Sequence, residues 1–479
     1  MAQNRRTTTP LLALGAFALL APMVTPGTAA AEASWLEQDL SSADRIGMTL
    51  ASGALRLDTA EDLGASPRLD TTKRRTGLAT FPEQELPEPT DTVDVSVRTT
   101  GEAEEVLTEA RGHRADGMWT EWQPTRSGGG RVVLPEAVDE VQVRVEVSSK
   151  AEKGGASVDE VRVRPVESSV ATTDETPKGS SDSESPDGGT GEAAKGDDVP
   201  RPFSARLFAT RIGLVGETTA NGHTVRPDDH FVALPSRRGL STRGGGEYTV
   251  RVCSTGALGP KAEGDTENHD PRCAYLPVWD VGPWNITDDH WNDDRESWRD
   301  LDRGRPQAQA AYTEGHNDGL DGFGRRVQNP AGIDLADGAF NEGLQLPTNG
   351  WVEVDYLWTA EYRDRAEVTT ATQSDPVIVR TGPGTHYDTI GLAAHKANVD
   401  VACQVIGDPA TGPNGVSDVW YRIGEGHYIP AAFAQGGSEA PYCLPGEQKP
   451  IGPTVPATTA TTQQMSTTEP IQWVRIRSP

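Results

Sequence analysis

Short runs in which apolar and polar residues alternate dominate the first third of the chain after its N-terminal segment. The clearest runs are 93–98, 141–147 and 161–164, each with valine at every second position. Alternation with a period of two puts one set of side chains on each face of a strand, so these runs predict half-buried β-strands. Residues 34–166 are therefore predicted to form a small antiparallel β-sandwich-like domain.

A second region, 202–360, holds apolar runs separated by loops rich in glycine and threonine. The runs predict strands at 205–215, 230–234, 247–253, 274–279 and 351–358. Only 306–323 has helical spacing, with Ala308, Ala311 and Tyr312 available as an inner face. The pattern predicts a mainly β barrel with a partly helical insertion.

Three segments do not have the pattern of a folded domain. Residues 1–33 carry an arginine pair, a short apolar core and then small residues, which is typical of a secretory signal peptide and too short for a membrane span. Residues 167–201 contain almost no large apolar side chains. Residues 445–479 are rich in threonine, proline and glutamine, with an extra strand or a docking segment at 471–476 as the alternative. They predict a disordered linker and a disordered tail.

Two aspartates lie at the ends of apolar runs in the second region. Asp280 precedes Gly282 and Pro283, which favour a turn, and Asp334 lies in the run 332–335. The end of a strand is where a rigid scaffold presents a polar group to a groove. Taken alone, each residue favours a structural interpretation, because aspartate is favoured at the start of turns and as a helix cap, and only the surrounding motifs favour a functional one.

The order of motifs in 202–360 resembles the double-psi β-barrel of the RlpA and expansin type, which includes wall-acting lytic transglycosylases. The matching stretches are 219–223, 230–235, 280–283, 333–335 and 352–354. The resemblance implies catalytic roles for Asp280, Asp334 and His230. The substrate-binding candidates beside them are Thr219, Trp279 and Trp284. For His230, a structural role as a strand histidine bonded to a backbone carbonyl is the alternative.

The chain differs from compact members of that family in three places. About fifty residues separate Asp280 from Asp334, and they form an acidic insertion rich in tryptophan. Val281 replaces the family's basic residue, and Ala336 replaces a polar one. The stretches around both aspartates also resemble a set of secreted actinobacterial proteins, a resemblance that implies no particular reaction.

Two further segments resemble wall-associated modules. Residues 372–444 are similar to a bacterial SH3 domain through the turn at 379–384 and the strands at 419–423 and 427–429. This implies a small barrel that binds cell-wall peptide stems or acts as a spacer. Around Trp119 and Trp122 the chain resembles the β-rich accessory domain of secreted peptidoglycan-recognition amidases. Both tryptophans are predicted to be buried, with stacking on sugar as the alternative.

The cysteines and the charge limit the environment and the partners. Four cysteines allow three pairings, and the intervening sequence favours Cys253 with Cys273 and Cys403 with Cys443, each within one domain of an exported chain. A net charge of −27 argues against nucleic acid and anionic membranes as partners, because no excess of basic residues is available to displace counterions.

Several other classes of chemistry find no support. The sequence has no zinc-binding histidine motif, nucleophile elbow or phosphate-binding glycine loop, so we expect neither a metal nor a cofactor. The acidic residues between Asp288 and Asp302 lack the spacing of a calcium loop and predict a solvated loop, with calcium binding as the alternative.

These inferences predict a secreted, extracellular or cell-wall-associated protein, expected to be a monomer without membrane insertion. Its SH3-like module and its expansin-like groove are expected to bind peptidoglycan or another wall polymer. One alternative is a lytic transglycosylase with Asp280 as acid and base, since that reaction needs one carboxyl group. The other alternative is an extracellular protein-interaction factor.

Overall fold

The computed structural model describes residues 34–57, 75–103, 105–126, 128–149, 155–166, 201–361 and 364–444. The predicted signal peptide, nearly all of the predicted linker and the predicted tail lie outside the described residues. The prediction of a mainly β protein is confirmed, because strands form most of the regular structure. None of the helices in the described ranges is long and apolar enough to cross a membrane.

The N-terminal module, residues 35–166, is one antiparallel sheet folded over a valine-rich core. Its strands are β1 (Leu36–Glu37), β2 (Asp44–Ile46), β3 (Met48–Ala51), β4 (Ala54–Leu57), β5 (Arg75–Thr80), β6 (Gln84–Thr100), β7 (Glu105–Gly112), β8 (Gln123–Arg126), β9 (Gly129–Ser149) and β10 (Ser157–Pro165). The first half of β9 pairs with β6, and its second half lies between β5 and β7. This long strand therefore joins both parts of the sheet.

The central barrel contains six strands that close on themselves. They are β11 (Phe203–Arg211), β12 (Val232–Leu234), β13 (Thr249–Leu258), β14 (Cys273–Val281), β15 (Ala331–Leu335) and β16 (Gly350–Tyr356). Their order is β12-β15-β11-β16-β13-β14, and β14 pairs back to β12. The pairings β11–β15 and β12–β14 are parallel, and both connect strands that are distant in sequence.

The insertion between β14 and β15 is only partly helical, as predicted. It contains helix α1 (Gln307–Glu314), which ends at Gly315 in a left-handed conformation, as is common at a helix C-terminus. Short helical turns occur elsewhere in the described chain at Arg237–Gly239, His316–Gly319, Ala339–Gly343, Leu357–Thr359 and Ala431–Phe433.

The C-terminal barrel, residues 364–444, continues the sheet of the central barrel. Its strands are β17 (Arg365–Val368), β18 (Val377–Arg380), β19 (Thr389–Ala393), β20 (Asn398–Asp400), β21 (Cys403–Gly412), β22 (Gly415–Gly424), β23 (His427–Pro430) and β24 (Ala434–Gly436). Strand β19 pairs in parallel with β14. Strand β17 pairs with β20 and β24, although it precedes the boundary predicted at residue 372.

Both predicted disulfides are present. Cys253 on β13 bonds to Cys273, its direct cross-strand partner on β14. Cys403 at the start of β21 bonds to Cys443 near the end of the C-terminal barrel. Each bond therefore lies within one barrel, as the sequence indicated.

Candidate functional site

Four residues form a row across the outer face of the central barrel. Asp280 on β14 is the register partner of Ala233 on β12, which is also the partner of Asp334 on β15. Asp334 in turn is the partner of Thr210 on β11. Because adjacent strands lie about 4.8 Å apart, the two aspartate Cα atoms, two strands apart, are separated by roughly 10 Å.

The alternation of side chains explains why Ala233 and Asp334 face outward, and a register shift between β12 and β14 brings Asp280 into the same row. Ile333 and Leu335, on either side of Asp334, belong to the apolar core of the central barrel. Val232 and Leu234, which flank Ala233, belong to the same core. Successive side chains of a strand point to opposite faces, so the residues between these core positions lie on the outer surface of the barrel.

A cavity of about 500 Å³ lies over this row. Both aspartates and Thr210 contribute to its walls. The other lining residues are Arg211, Ile212, Ala233, Val281, Gly282, Pro283, Trp284, Arg325, Gln328, Asn329 and Asn349. The cavity thus combines a pair of carboxyl groups with amide, guanidinium and indole groups, a set that can orient a polar ligand such as a sugar.

Asp280 is the most perturbed acid of the cavity. Only 2% of its surface is exposed. Burial raises its pKa to about 7, and the charge of Asp334 acts in the same direction, against hydrogen bonds from the backbone N–H groups of Ala220 and Val281. The Ala220 N–H donates to Asp280 Oδ1 at 2.8 Å. Asp280 can therefore hold a proton near neutral pH while its orientation is fixed.

Asp334 is held differently. It is 6% exposed, and the hydroxyl of Thr210 donates a hydrogen bond to its Oδ1. The two acids of the cavity thus have different surroundings, a desolvated one for Asp280 and a hydrogen-bonded one for Asp334. Pairs of carboxyl groups with such unlike surroundings can divide the roles of acid and charge stabiliser.

Thr219 lies outside the cavity lining and contributes through the turn that it closes. It is buried, and its hydroxyl donates to Asn221 Oδ1 at 2.8 Å and accepts from the N–H of His223 at 3.0 Å. The turn places the N–H of Ala220 against Asp280. Thr219 therefore orients the segment that binds Asp280 and has no direct contact with the cavity.

The two predicted tryptophans have unlike positions. Trp279 is 2% exposed, stacks on Phe231 with ring centroids 5.6 Å apart, and donates from Nε1 to Gly245 O at 2.7 Å. It belongs to the packing behind the row and does not line the cavity. Trp284 does line the cavity, and its Nε1 donates to Asn329 Oδ1 at 3.0 Å.

His230 is separate from the cavity lining. It is 2% exposed, and its Nε2 lies 3.5 Å from Glu342 Oε2. Burial lowers the pKa of its imidazole, although the charge of Glu342 opposes this. Neither ring nitrogen has a hydrogen-bond partner, so the alternative of a bond to a backbone carbonyl is also not realised.

Sequence reasoning missed Thr210, Arg325 and Asn329. Thr210 meets Asp334 only through the parallel pairing of β11 and β15, whose positions in the chain are far apart. Arg325 is fixed by Asp321 at 2.6 Å and donates to the carbonyl of Trp284 at 2.8 Å. The contact between Arg325 and Trp284, which follows β14, depends on how the insertion folds. No local sequence motif predicts it.

The prediction that the acidic residues of the insertion form a solvated loop is wrong for two of them. Asp288 and Asp289 are fully buried. Asp288 pairs with the buried Arg295, and Asp289 pairs with Arg238 at 2.5 Å. The Asp288–Arg295 pair lies within the insertion, and the Asp289–Arg238 pair connects the insertion to the barrel. Buried charges are accommodated in this way when a partner of opposite sign is available.

The solvated-loop prediction holds for other acids of the insertion, since Asp293, Asp294, Asp300 and Asp302 are exposed. Within the described ranges, no group of three or more histidine, cysteine, aspartate or glutamate side chains is arranged to hold a metal ion.

Comparison with known families gives one match. A family model described as a domain of unknown function (DUF8814) matches residues 203–355. The match begins at the first residue of β11 and ends within β16, so it covers all six strands of the central barrel, both aspartates and the insertion. No curated protein matches the chain.

Proposed function

We propose that this chain is a secreted cell-wall protein whose central barrel cleaves peptidoglycan glycan in the cavity over Asp280 and Asp334. The observation that carries the proposal is Asp280, a buried carboxyl group whose pKa is raised to about 7 and which lines a cavity with a second acid. A general acid works best when its pKa is close to the working pH. Peptidoglycan as substrate rests on the resemblance to wall-acting double-psi barrels.

The reaction is a lytic transglycosylation with one residue as acid and then as base. Protonated Asp280 gives its proton to the glycosidic oxygen, the bond from that oxygen to C1 breaks, and the leaving sugar departs with a new hydroxyl group. The C6 hydroxyl of the remaining sugar then attacks C1, and the Asp280 carboxylate takes up its proton. The product is a 1,6-anhydro sugar, and no water is consumed.

The other cavity residues have supporting roles in this scheme. The Asp334 carboxylate, which accepts a hydrogen bond from the Thr210 hydroxyl, stabilises the positive charge that develops at C1. Trp284 and Asn329 are hydrogen-bonded to each other on the cavity wall. The indole offers an apolar face to a sugar ring, and the asparagine side chain offers an amide group.

Three features outside the cavity support the cellular setting. The N-terminal 33 residues have the pattern of a signal peptide, and both disulfides are of the kind that persists in oxidising compartments. The SH3-like motifs of the C-terminal barrel support anchoring to the wall. With anchoring supplied there, the cavity itself needs to hold only a short stretch of glycan.

A second candidate is binding without cleavage, in the manner of expansins. It is favoured by the near-complete burial of Asp280 and by the fact that His230 does not line the cavity. A carboxyl group that substrate cannot reach would shape the wall of a binding site without transferring a proton.

The experiment is incubation of the protein lacking residues 1–33 with purified peptidoglycan, beside Asp280→Asn. Soluble products are analysed by mass spectrometry, and bound protein is measured by pelleting. Anhydro-muropeptides that are lost in Asp280→Asn establish the transglycosylase. The matched control is Asp302→Asn, at an exposed position in the insertion that follows β14. This variant is expected to retain full product formation.

Each of the other outcomes contradicts part of the proposal. Pelleting without soluble products by any variant supports the binding candidate and contradicts cleavage. Products that persist in Asp280→Asn contradict the role of Asp280 while leaving the enzyme class in place. Absence of both products and pelleting overturns the cell-wall proposal and directs the search to protein partners.

A further inference from the structure

Glu121 of the N-terminal module is bound by three groups of the central barrel region. Its Oε1 accepts hydrogen bonds from the indole nitrogens of Trp291 at 2.6 Å and Trp358 at 2.7 Å. Its Oε2 accepts from the amide of Asn292 at 2.6 Å. Arg238 lies 3.9 Å away. One carboxylate thus satisfies two indole donors, which cannot find another acceptor within the apolar core beside them.

Trp122, next to Glu121 in the chain, also reaches from the N-terminal module into the central barrel. It is fully buried and belongs, with Met118, to the apolar core of the central barrel. Its indole nitrogen donates to Leu240 O at 3.1 Å. The guanidinium of Arg144 lies 4.1 Å from the centre of its ring, within the range of a cation–π contact. The core of the barrel is therefore completed by side chains of the N-terminal module.

Charged groups on both sides are paired across this boundary. Arg111, with a side chain 2% exposed, bonds to Glu247 at 2.7 Å. Arg144 is paired with Glu109 within the N-terminal module, and it donates across the boundary to Arg237 O at 2.9 Å. Glu146 pairs with Arg237 at 2.5 Å. Separation of the two units would leave carbonyls and charges without these partners.

We infer that the N-terminal module is a non-covalent partner of the central barrel, held by the surface around Glu121 and Trp122 and not by the intervening chain. The inference is independent of the proposed function of the cavity. It identifies the partner of the barrel surface formed by Leu240, Trp291 and Trp358 as residues 105–146 of the same chain. If it is correct, a cut between the two units yields a stable two-chain complex.

The geometry of the contact is that of a strong interface. It has a buried tryptophan at its centre, arginines stacked on aromatic rings and largely buried charge pairs, which are the features of energetic hot spots. Removing one member of a buried, charge-assisted pair leaves the other without its partner, so single substitutions at the centre should be costly. Exposed positions of the same module should be neutral.

The test uses the full chain with a specific protease site placed within residues 175–195. This segment lies in the predicted linker, so the cut should leave both folded units intact. After cleavage, the two fragments are analysed by gel filtration at micromolar concentration. Co-elution at the size of the uncut chain is the expected result. Separate elution of folded fragments overturns the inference.

Substitutions then locate the binding energy. With the larger fragment immobilised, Glu121→Gln is expected to raise the dissociation rate of the smaller fragment by ~10- to 100-fold, because it replaces a charged acceptor of several hydrogen bonds. Glutamine preserves the size of the side chain. Glu85→Gln, at an exposed position on β6, is the control and should leave the rate unchanged. Equal rates for the two variants would contradict the role assigned to Glu121.

Discussion

The raised pKa of Asp280 makes a prediction about stability that does not depend on any substrate. Above about pH 7 the folded protein must carry a buried charge at this position, whereas the unfolded chain ionises the same residue near its ordinary pKa of 3.8. Well below about pH 4 the carboxyl group is protonated in both the folded and the unfolded state, so its ionisation does not destabilise the folded protein there. The contribution of Asp280 to folding stability is therefore lost progressively as pH rises from about 4 to 7.

The magnitude follows from the displacement of the pKa. A rise from 3.8 to about 7 corresponds to about 4 kcal/mol of folding free energy, at 1.36 kcal/mol for each pH unit. Somewhat more than half of this, about 2–3 kcal/mol, is expected between pH 5 and pH 8. Asp280→Asn removes the ionisation and keeps an oxygen that can accept from the Ala220 N–H. Between pH 5 and pH 8, the unfolding free energy of Asp280→Asn should therefore rise relative to that of the wild type by this amount.

The assay is denaturant unfolding at pH 5 and pH 8, followed by tryptophan fluorescence, for the wild type, Asp280→Asn and Asp302→Asn. Asp302 is exposed, so its variant should follow the wild type at both pH values. The reasoning is refuted if the difference in unfolding free energy between Asp280→Asn and the wild type is the same at both pH values. That result would mean that Asp280 ionises as an ordinary aspartate and is a poor general acid near neutrality.

Three further substitutions test other contacts. Thr210→Val removes the hydroxyl that donates to Asp334, and should lower release of anhydro-muropeptides about tenfold without a change in circular dichroism. Trp122→Ala empties a fully buried site in the barrel core and should lower the unfolding free energy by about 3–5 kcal/mol in denaturant titrations. Tyr275→Phe removes a hydroxyl bonded to His427 at 2.8 Å and should cost about 1–3 kcal/mol in the same assay. A wild-type value in any of these measurements contradicts the corresponding contact.

Local sequence patterns were sufficient for features that depend on neighbouring residues. The mainly β class, the strand that ends just after Asp280 and both disulfides follow from alternation, turn residues and cysteine spacing. Each of these signals acts within a single element or between two adjacent ones. The chain supplies them directly in its order of apolar and polar residues.

Features that require distant segments to meet were not predictable. Ala233 lies between Asp280 and Asp334 only because β12 pairs with both β14 and β15. The burial of Asp288 likewise depends on Arg295 folding back onto it, although charge alone predicts exposure. Trp122 was expected to be buried, but its place in the core of another unit is a property of the assembled chain.

The parallel pairing of β14 with β19 also connects the two barrels directly through hydrogen-bonded strands. Cys273, Ala274 and Tyr275 are joined side by side to the C-terminal barrel, and Asp280 lies five residues beyond Tyr275 on the same strand. If the C-terminal barrel is the anchor that we propose, tension on it would pass to the central barrel through this strand pairing. The Cys253–Cys273 bond ties the loaded end of β14 covalently to β13. Under the proposed function, a stretched cell wall would therefore pull on the strand that carries Asp280.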